Sequence, residues 1–127
     1  MNERDANNKP NPLKDKSFQF ALKIIQLCKY LSEDNREFIM SKQLLRSGTS
    51  IGANIREAQN AQSKADFIHK LSIAQKECDE SLYWLELLHQ SDFLEEIEFK
   101  AIHNDANELL KMLRSSILTT KQNIHNS

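Results

Sequence analysis

The stretch RSGTSIGANIREA, residues 46–58, holds both glycines of the chain, Gly48 and Gly52, four residues apart. The sequence on either side has helical periodicity, so both glycines fall inside a helix. A glycine there costs about 1 kcal/mol relative to alanine. Two cost about 2 kcal/mol, against a typical domain stability of about 5–15 kcal/mol. Some contact must offset this. Ser47, Gly48, Thr49, Ser50, Gly52 and Ala53 form a run of small side chains interrupted by Ile51. Small residues let another backbone come close enough for dispersion contacts that a leucine would block. Gly48, Gly52, Ser47 and Ala53 are therefore read as a close helix-packing surface, within the chain or between chains. A phosphate-cradling loop is the rival reading, but there is no Gly-Lys-Ser/Thr and no strand leads into the stretch.

Outward from this stretch, the second helix is predicted over about Arg36 to Ala61, with Met40, Leu44, Gly48, Ile51, Ile55 and Ala58 on one face and Leu45 and Gly52 beside it. Before it, Phe20, Ile24, Leu27 and Leu31 repeat at 4-3-4 spacing, and Ala21, Ile25 and Cys28 widen the stripe, which predicts a helix from about Asp15 to Leu31. Ser32-Glu33-Asp34-Asn35 breaks the pattern and offers Asp34 or Asn35 as the next N-cap. After the stretch, Ser63 with Asp66 signals a helix start. Phe67, Leu71, Ala74, Cys78, Ser81, Leu85 and Leu88 then alternate strictly by four and three, the seam of a helix packed nearly parallel to its neighbours. A fourth helix is predicted from about Glu95 to Lys121, with Ile102, Ala106, Leu109, Leu110, Leu113 and Ile117 inward and acids in its first turn. Three short connections between long helices make neighbours antiparallel. The expected fold is all-α, an antiparallel up-down-up-down four-helix bundle over residues 13–122. Residues 1–12 are expected as a disordered tail and 123–127 as a frayed one.

The composition supports this class. A chain of 127 residues is one domain, two glycines and two prolines are too few for a turn-rich β protein, and 28% of residues are charged. No apolar run is long enough to cross a membrane and the N-terminus lacks a secretory pattern, so a cytoplasmic location is expected. Cys28 and Cys78 read as free, core-facing thiols.

Charge is uneven, although the net is −1. Residues 36–76 hold seven Lys or Arg against three acids; residues 77–110 hold ten acids against Lys100 alone. The pattern suggests a polar partner or self-association of unlike faces. Lys42, Arg46, Arg56, Lys64, Lys70 and Lys76 are candidate nucleic-acid contacts along helices two and three. Arg46, Asn54, Glu57, Glu77 and Glu80 are read as a polar network that fixes helix register. Glu86-x-x-His89 matches half of a di-iron bundle motif. The looser Asp66-x-x-His69 sits on the same helix, about 30 Å away by helical rise, so no metal or other cofactor is expected. No nucleophile, base and orienter converge, so neither an enzyme nor a small-molecule substrate is expected.

The segment SKQLLRSGTSIGANIREAQNAQSKADFIHKLSIAQKECDESLYWLELL, residues 41–88, resembles the signature of bacterial four-helix-bundle proteins first noted in intervening sequences of 23S rRNA genes. The accessory variability protein of diversity-generating retroelements is a relative of that family. The resemblance rests on Arg46, Ser50, Ile51, Asn54, Glu57 and Ala58. It continues through Ser63, Asp66, Phe67, Lys70, Leu71, Glu77, Glu80, Trp84 and Leu85, and in pattern it covers about residues 15–121. It implies a homopentameric ring or barrel without enzymatic activity. The retroelement relative is strongly basic and is thought to bind nucleic acid and a reverse transcriptase; this chain departs from it in charge. The reading is a homo-oligomeric scaffold or accessory factor with a nucleic-acid or protein partner. The alternative is an RNA- or DNA-binding accessory protein of a ribosomal RNA or retroelement system.

Overall fold

The structure, a computed structural model, describes residues 10–126. Four helices follow one another: α1 Pro12–Glu33, α2 Ile39–Gln59, α3 Lys64–Gln90 and α4 Glu96–Asn126. Nine residues of the tail expected over 1–12 lie outside the described residues. Pro12 already opens α1, three residues before the expected start. The Asn11 side chain accepts a hydrogen bond from the Lys14 backbone N–H at 3.1 Å, and a proline in the first turn loses no helical bond.

The start of α2 departs further from the sequence reading. Arg36 adopts a left-handed backbone, φ 54°, so the helix cannot include it. Neither Asp34 nor Asn35 caps α2. Glu37, two positions beyond Asn35, does so and is almost wholly buried. One carboxylate oxygen accepts from Ser41 N at 2.7 Å, the other from Ile39 N at 3.2 Å and Met40 N at 3.1 Å. A negative charge on three otherwise orphaned N–H groups suits the positive end of the helix dipole. At α3, Ser63 Oγ accepts from Asp66 N at 3.0 Å, the start signal read from the sequence. Helix α4 continues to Asn126, past its expected end near Lys121, so most of the expected frayed tail is helical.

The all-α reading is shown by the structure. Each helix packs against its chain neighbours and α4 returns to α1; diagonal pairs do not meet among the described residues. Phe20, Ile24 and Leu31 of α1 fill the core with Leu44, Ile51 and Ile55 of α2, Leu71, Leu85 and Leu88 of α3, and Leu109 and Leu113 of α4. Burying such a side chain contributes about 1.5–3 kcal/mol, so this interior is the main stabilising term. The α1–α4 contact is the slightest of the four, and two ion pairs bridge it: Lys16–Glu108 at 2.5 Å and Lys23–Asp105 at 2.7 Å. No helix among the described residues is long and apolar enough to cross a membrane.

Candidate functional site

The small-residue stretch faces three ways. Ser47 is buried toward α3, where its hydroxyl lies 3.0 Å from that of Ser81. Gly48 faces α1 so closely that a Cβ there would stand 2.9 Å from both γ carbons of Ile24. Gly52 lies one turn further along the same seam. A Cβ at that position would meet Ser17 Oγ at 3.4 Å and the Ser17 backbone oxygen at 3.5 Å. Ala53 is exposed. Missing side chains thus bring α1 and α2 together at Gly48, and at Gly52 they leave the floor of an open groove.

This groove follows the α1–α2 seam on the outside of the bundle. Its lower part is a pocket of about 510 Å³ whose walls include Phe18, Ala21, Ile25, Thr49, Gly52 and Ala53, with Lys14, Arg56 and Glu57 as its charged border. The upper part is a pocket of about 330 Å³ bounded by Ile25, Phe38 and Leu45, with Lys29 and Lys42 at the edge. Ile25 belongs to both, so the groove is continuous. Phe18 is 49% exposed and Phe38 55%, while Ile25 and Leu45 are also open. The sequence reading gave Ile25 to the core stripe of α1; the structure turns it outward. The bundle's own interior is closed before α1 has used all its apolar width.

The candidate polar network divides. Arg46 reaches from α2 to two carboxylates of α3, Glu77 at 3.2 Å and Glu80 at 2.5 Å, and Glu80 also accepts from Trp84 Nε1 at 3.3 Å. The hydrogen bond from Arg46, aided by the one from Trp84, holds the Glu80 carboxyl below its ordinary range. Glu57 stands apart and pairs with Lys70 at 3.5 Å. Asn54 returns to its own helix, donating to Ser50 O at 2.9 Å.

The candidate nucleic-acid contacts do not form one uninterrupted band. Lys42 and Arg56 border the α1–α2 groove, and the Arg56 guanidinium lies 6.0 Å from the Phe18 ring centre. Arg46 and Lys70 meet acids across the α2–α3 seam. Lys64 and Lys76 are exposed on α3. Part of the charge split seen in the sequence is therefore spent within the chain.

At the other end of α3, Glu86 and His89 each take a different partner from α4. His89 Nε2 lies 2.8 Å from Glu96, and His103 Nε2 lies 3.0 Å from Glu86. A carboxylate only accepts, so each imidazole donates from Nε2. Phe99 lies between the two rings, stacked on His89 at 4.1 Å and tilted to His103 at 4.8 Å. His103 Nδ1 accepts from Asn107 Nδ2 at 3.1 Å, whereas His89 Nδ1 is buried without a partner. The ladder clamps the α3–α4 connection. Among the described residues no group of three or more His, Cys, Asp or Glu is gathered as a metal site. Cys28 and Cys78 are free thiols, buried and donating to the Ser41 and Ala106 carbonyl oxygens, each at 3.2 Å.

A family model described as 23S rRNA-intervening sequence protein matches residues 11–115. The chain belongs to this family. The matched segment spans α1 to most of α4, so the groove and the small-residue stretch both lie inside the family's shared part. A solved structure of a protein with unknown function from the S23 ribosomal protein family of Bacteroides thetaiotaomicron is 55% identical, with a TM-score of 0.82. The alignment covers 83% of this chain and 97% of that one. No protein among curated relatives matches significantly. What the fold presents here is an open groove with apolar walls and a floor of small residues, bordered by Lys14, Lys29, Lys42 and Arg56 together with Glu57.

The sequence reading singled out Gly52 and Ala53 for helix packing and placed Leu45 beside the core stripe, but it did not read the wall that α1 contributes. The signal was present: Phe18, Leu22 and Ile25 repeat by four and three on α1, a second apolar stripe beside the core stripe, and all three are exposed.

Proposed function

We propose that this member of the 23S rRNA-intervening sequence protein family is a non-enzymatic helical scaffold or accessory factor that works as an assembly of identical copies. Five copies is the number implied by the family resemblance. The observation that carries the reading is the open α1–α2 groove, where Phe18, Ile25, Phe38 and Leu45 remain exposed beside a filled core. Scattered exposed apolar residues are ordinary, but a continuous apolar channel edged by polar groups is typical of an interaction site. The groove runs from Phe38 to Arg56, about 27 Å at the helical rise, which suits a docked helix.

The test is the solution mass at tens of micromolar, by sedimentation or light scattering. The expected result is a defined assembly, and a monomer at that concentration overturns the reading. Titration with RNA and DNA at low and high salt examines the alternative. Tight binding that weakens steeply with salt is the signature of phosphate contacts and favours the nucleic-acid accessory role. Assembly without such binding supports the scaffold.

A further inference from the structure

The upper pocket of the groove has a particular shape and charge: apolar walls from Ile25, Phe38 and Leu45, and two lysines, Lys29 and Lys42, one from each helix. Neither lysine has an acid partner within salt-bridge distance among the described residues. On α3 the chain carries the inverse. Tyr83 is 55% exposed, and exposed Asp79 and Glu86 lie four residues before and three after it, so all three share the outward face. Glu86 already meets His103; Asp79 has no ion pair among those described. An aromatic plug between two carboxylates thus stands on one face, and an apolar pocket between two ammonium groups on another.

We propose that the upper pocket receives Tyr83 of a second copy, with Asp79 and Glu86 of that copy meeting Lys29 and Lys42. The inference rests on the assembly reading and specifies which surfaces meet. A chain cannot fill its own pocket, because Tyr83 lies on α3, edge-on to Trp84 at 5.2 Å, while the pocket lies between α1 and α2. The contact is therefore between unlike surfaces and leaves each pair with one pocket and one plug free. Such contacts propagate until a ring closes. A two-fold contact, groove against groove, would set Lys14, Lys29, Lys42 and Arg56 of one copy against the same four cations of the other, with Glu57 the one acid lining the groove; that excess of like charge disfavours it. Tyrosine is also enriched among the buried anchor residues that carry most of the energy of protein contacts.

Complementation between variants tests this. Leu45→Asp spoils the pocket and leaves the plug; Tyr83→Arg spoils the plug and leaves the pocket. Both sites are exposed, and the helical circular dichroism spectrum and melting curve verify that each variant folds. Each alone is expected to sediment as a monomer at a concentration where the wild type is assembled. Mixed in equal amounts, they are expected to associate, since the intact pocket of one then meets the intact plug of the other. Asp79→Lys, a surface change that leaves Tyr83 in place, is expected to weaken wild-type assembly at least tenfold at low salt. A mixture that stays monomeric overturns the proposal, as does Tyr83→Arg or Asp79→Lys assembling like the wild type. In each of those cases an assembled wild type leaves the scaffold reading standing, whereas a monomeric wild type removes both.

Discussion

Gly48 on α2 and Ile24 on α1 are in contact so close that no β-carbon fits between them: one built on Gly48 would lie 2.9 Å from Ile24 Cγ1 and Cγ2 and 3.3 Å from its Cβ. Ile24 is fully buried, and branching at Cβ gives it no flexible end to swing away. Gly48→Ala gains about 1 kcal/mol of helix propensity but overpacks a filled core, which costs about 1–3 kcal/mol. We expect net destabilisation by chemical denaturation. In an Ile24→Ala background both γ carbons are gone, and Gly48→Ala should then stabilise. The same sign in both backgrounds would show that the Ile24 contact does not explain the glycine.

Gly52 shares the seam but not the constraint. Its added β-carbon would find Ser17 atoms at 3.4–3.6 Å, an ordinary contact distance. Gly52→Ala should therefore leave the fold intact and raise stability by up to about 1 kcal/mol. Gly52→Leu projects its branch into the lower pocket of the groove, and should reduce association more than it reduces the melting temperature of the monomer. Loss of folding with alanine at this position would contradict the geometry.

The difference between these two glycines shows where sequence reasoning reached and where it ended. Periodicity identified the seam of α3, Leu71 through Leu88, because a residue's face on a straight helix follows from its spacing alone. The same rule could not sort Ile25. An apolar residue at the margin of a stripe has the same spacing whether its own bundle covers it or leaves it open. That outcome depends on how near the neighbouring helix lies, which Gly48 controls from another part of the chain. The start of α2 was hidden for a local reason. A left-handed arginine at position 36 has no compositional mark as a glycine would, and it moves capping from Asp34 or Asn35 to Glu37. The polar network was legible where long side chains cross between neighbouring helices, as Arg46 does to Glu77 and Glu80, but not for Asn54, whose own backbone was the nearer partner.

The Arg46–Glu80 pair gives a pH dependence of known sign. Glu80 is held below its ordinary value chiefly by the hydrogen bond from Arg46. A carboxyl whose folded value is lowered contributes stability above its unfolded value, and that contribution is lost as pH falls through the folded one. The Arg46 side chain is 52% exposed, so solvent screening keeps the effect to at most about 1 kcal/mol. Arg46→Met should lower stability slightly at pH 7, and the gap from wild type should close in acid. Urea melts of both proteins across the glutamate range measure it; a gap that widens in acid would refute the assignment.

Both thiols should be inert in the native state. Burial pushes Cys28 up to about 12, aided by the Glu37 charge, and pushes Cys78 up to about 12, with Asp79 adding and Arg114 opposing. The thiolate is the reactive form, so at pH 8 both should react with a thiol reagent at a small fraction of the free-cysteine rate. Labelling should rise along the urea unfolding curve, two equivalents per chain. Rapid modification of either thiol without denaturant would mean that α1 or α3 opens locally.

Glu37 provides the sharpest test of how the α1–α2 connection is held. Its carboxylate accepts three backbone N–H groups of α2, its own N–H donates to Leu31 O at 2.8 Å, and its carbonyl accepts from the Ser41 hydroxyl at 2.7 Å. One residue therefore ends α1 and begins α2. Glu37→Ala keeps the backbone bonds but leaves three N–H groups of a partly buried first turn without their acceptor, and should cost about 1–3 kcal/mol. Glu37→Gln retains one acceptor oxygen and loses the charge at the positive end of the helix, so it should fall between alanine and wild type. Because Phe38 follows directly and walls the upper pocket, loosening this cap should also weaken association in proportion to the loss of stability. Hydrogen exchange at Ile39, Met40 and Ser41 would report the cap itself. Unchanged protection at those three amides in Glu37→Ala would show that the carboxylate is not what holds them.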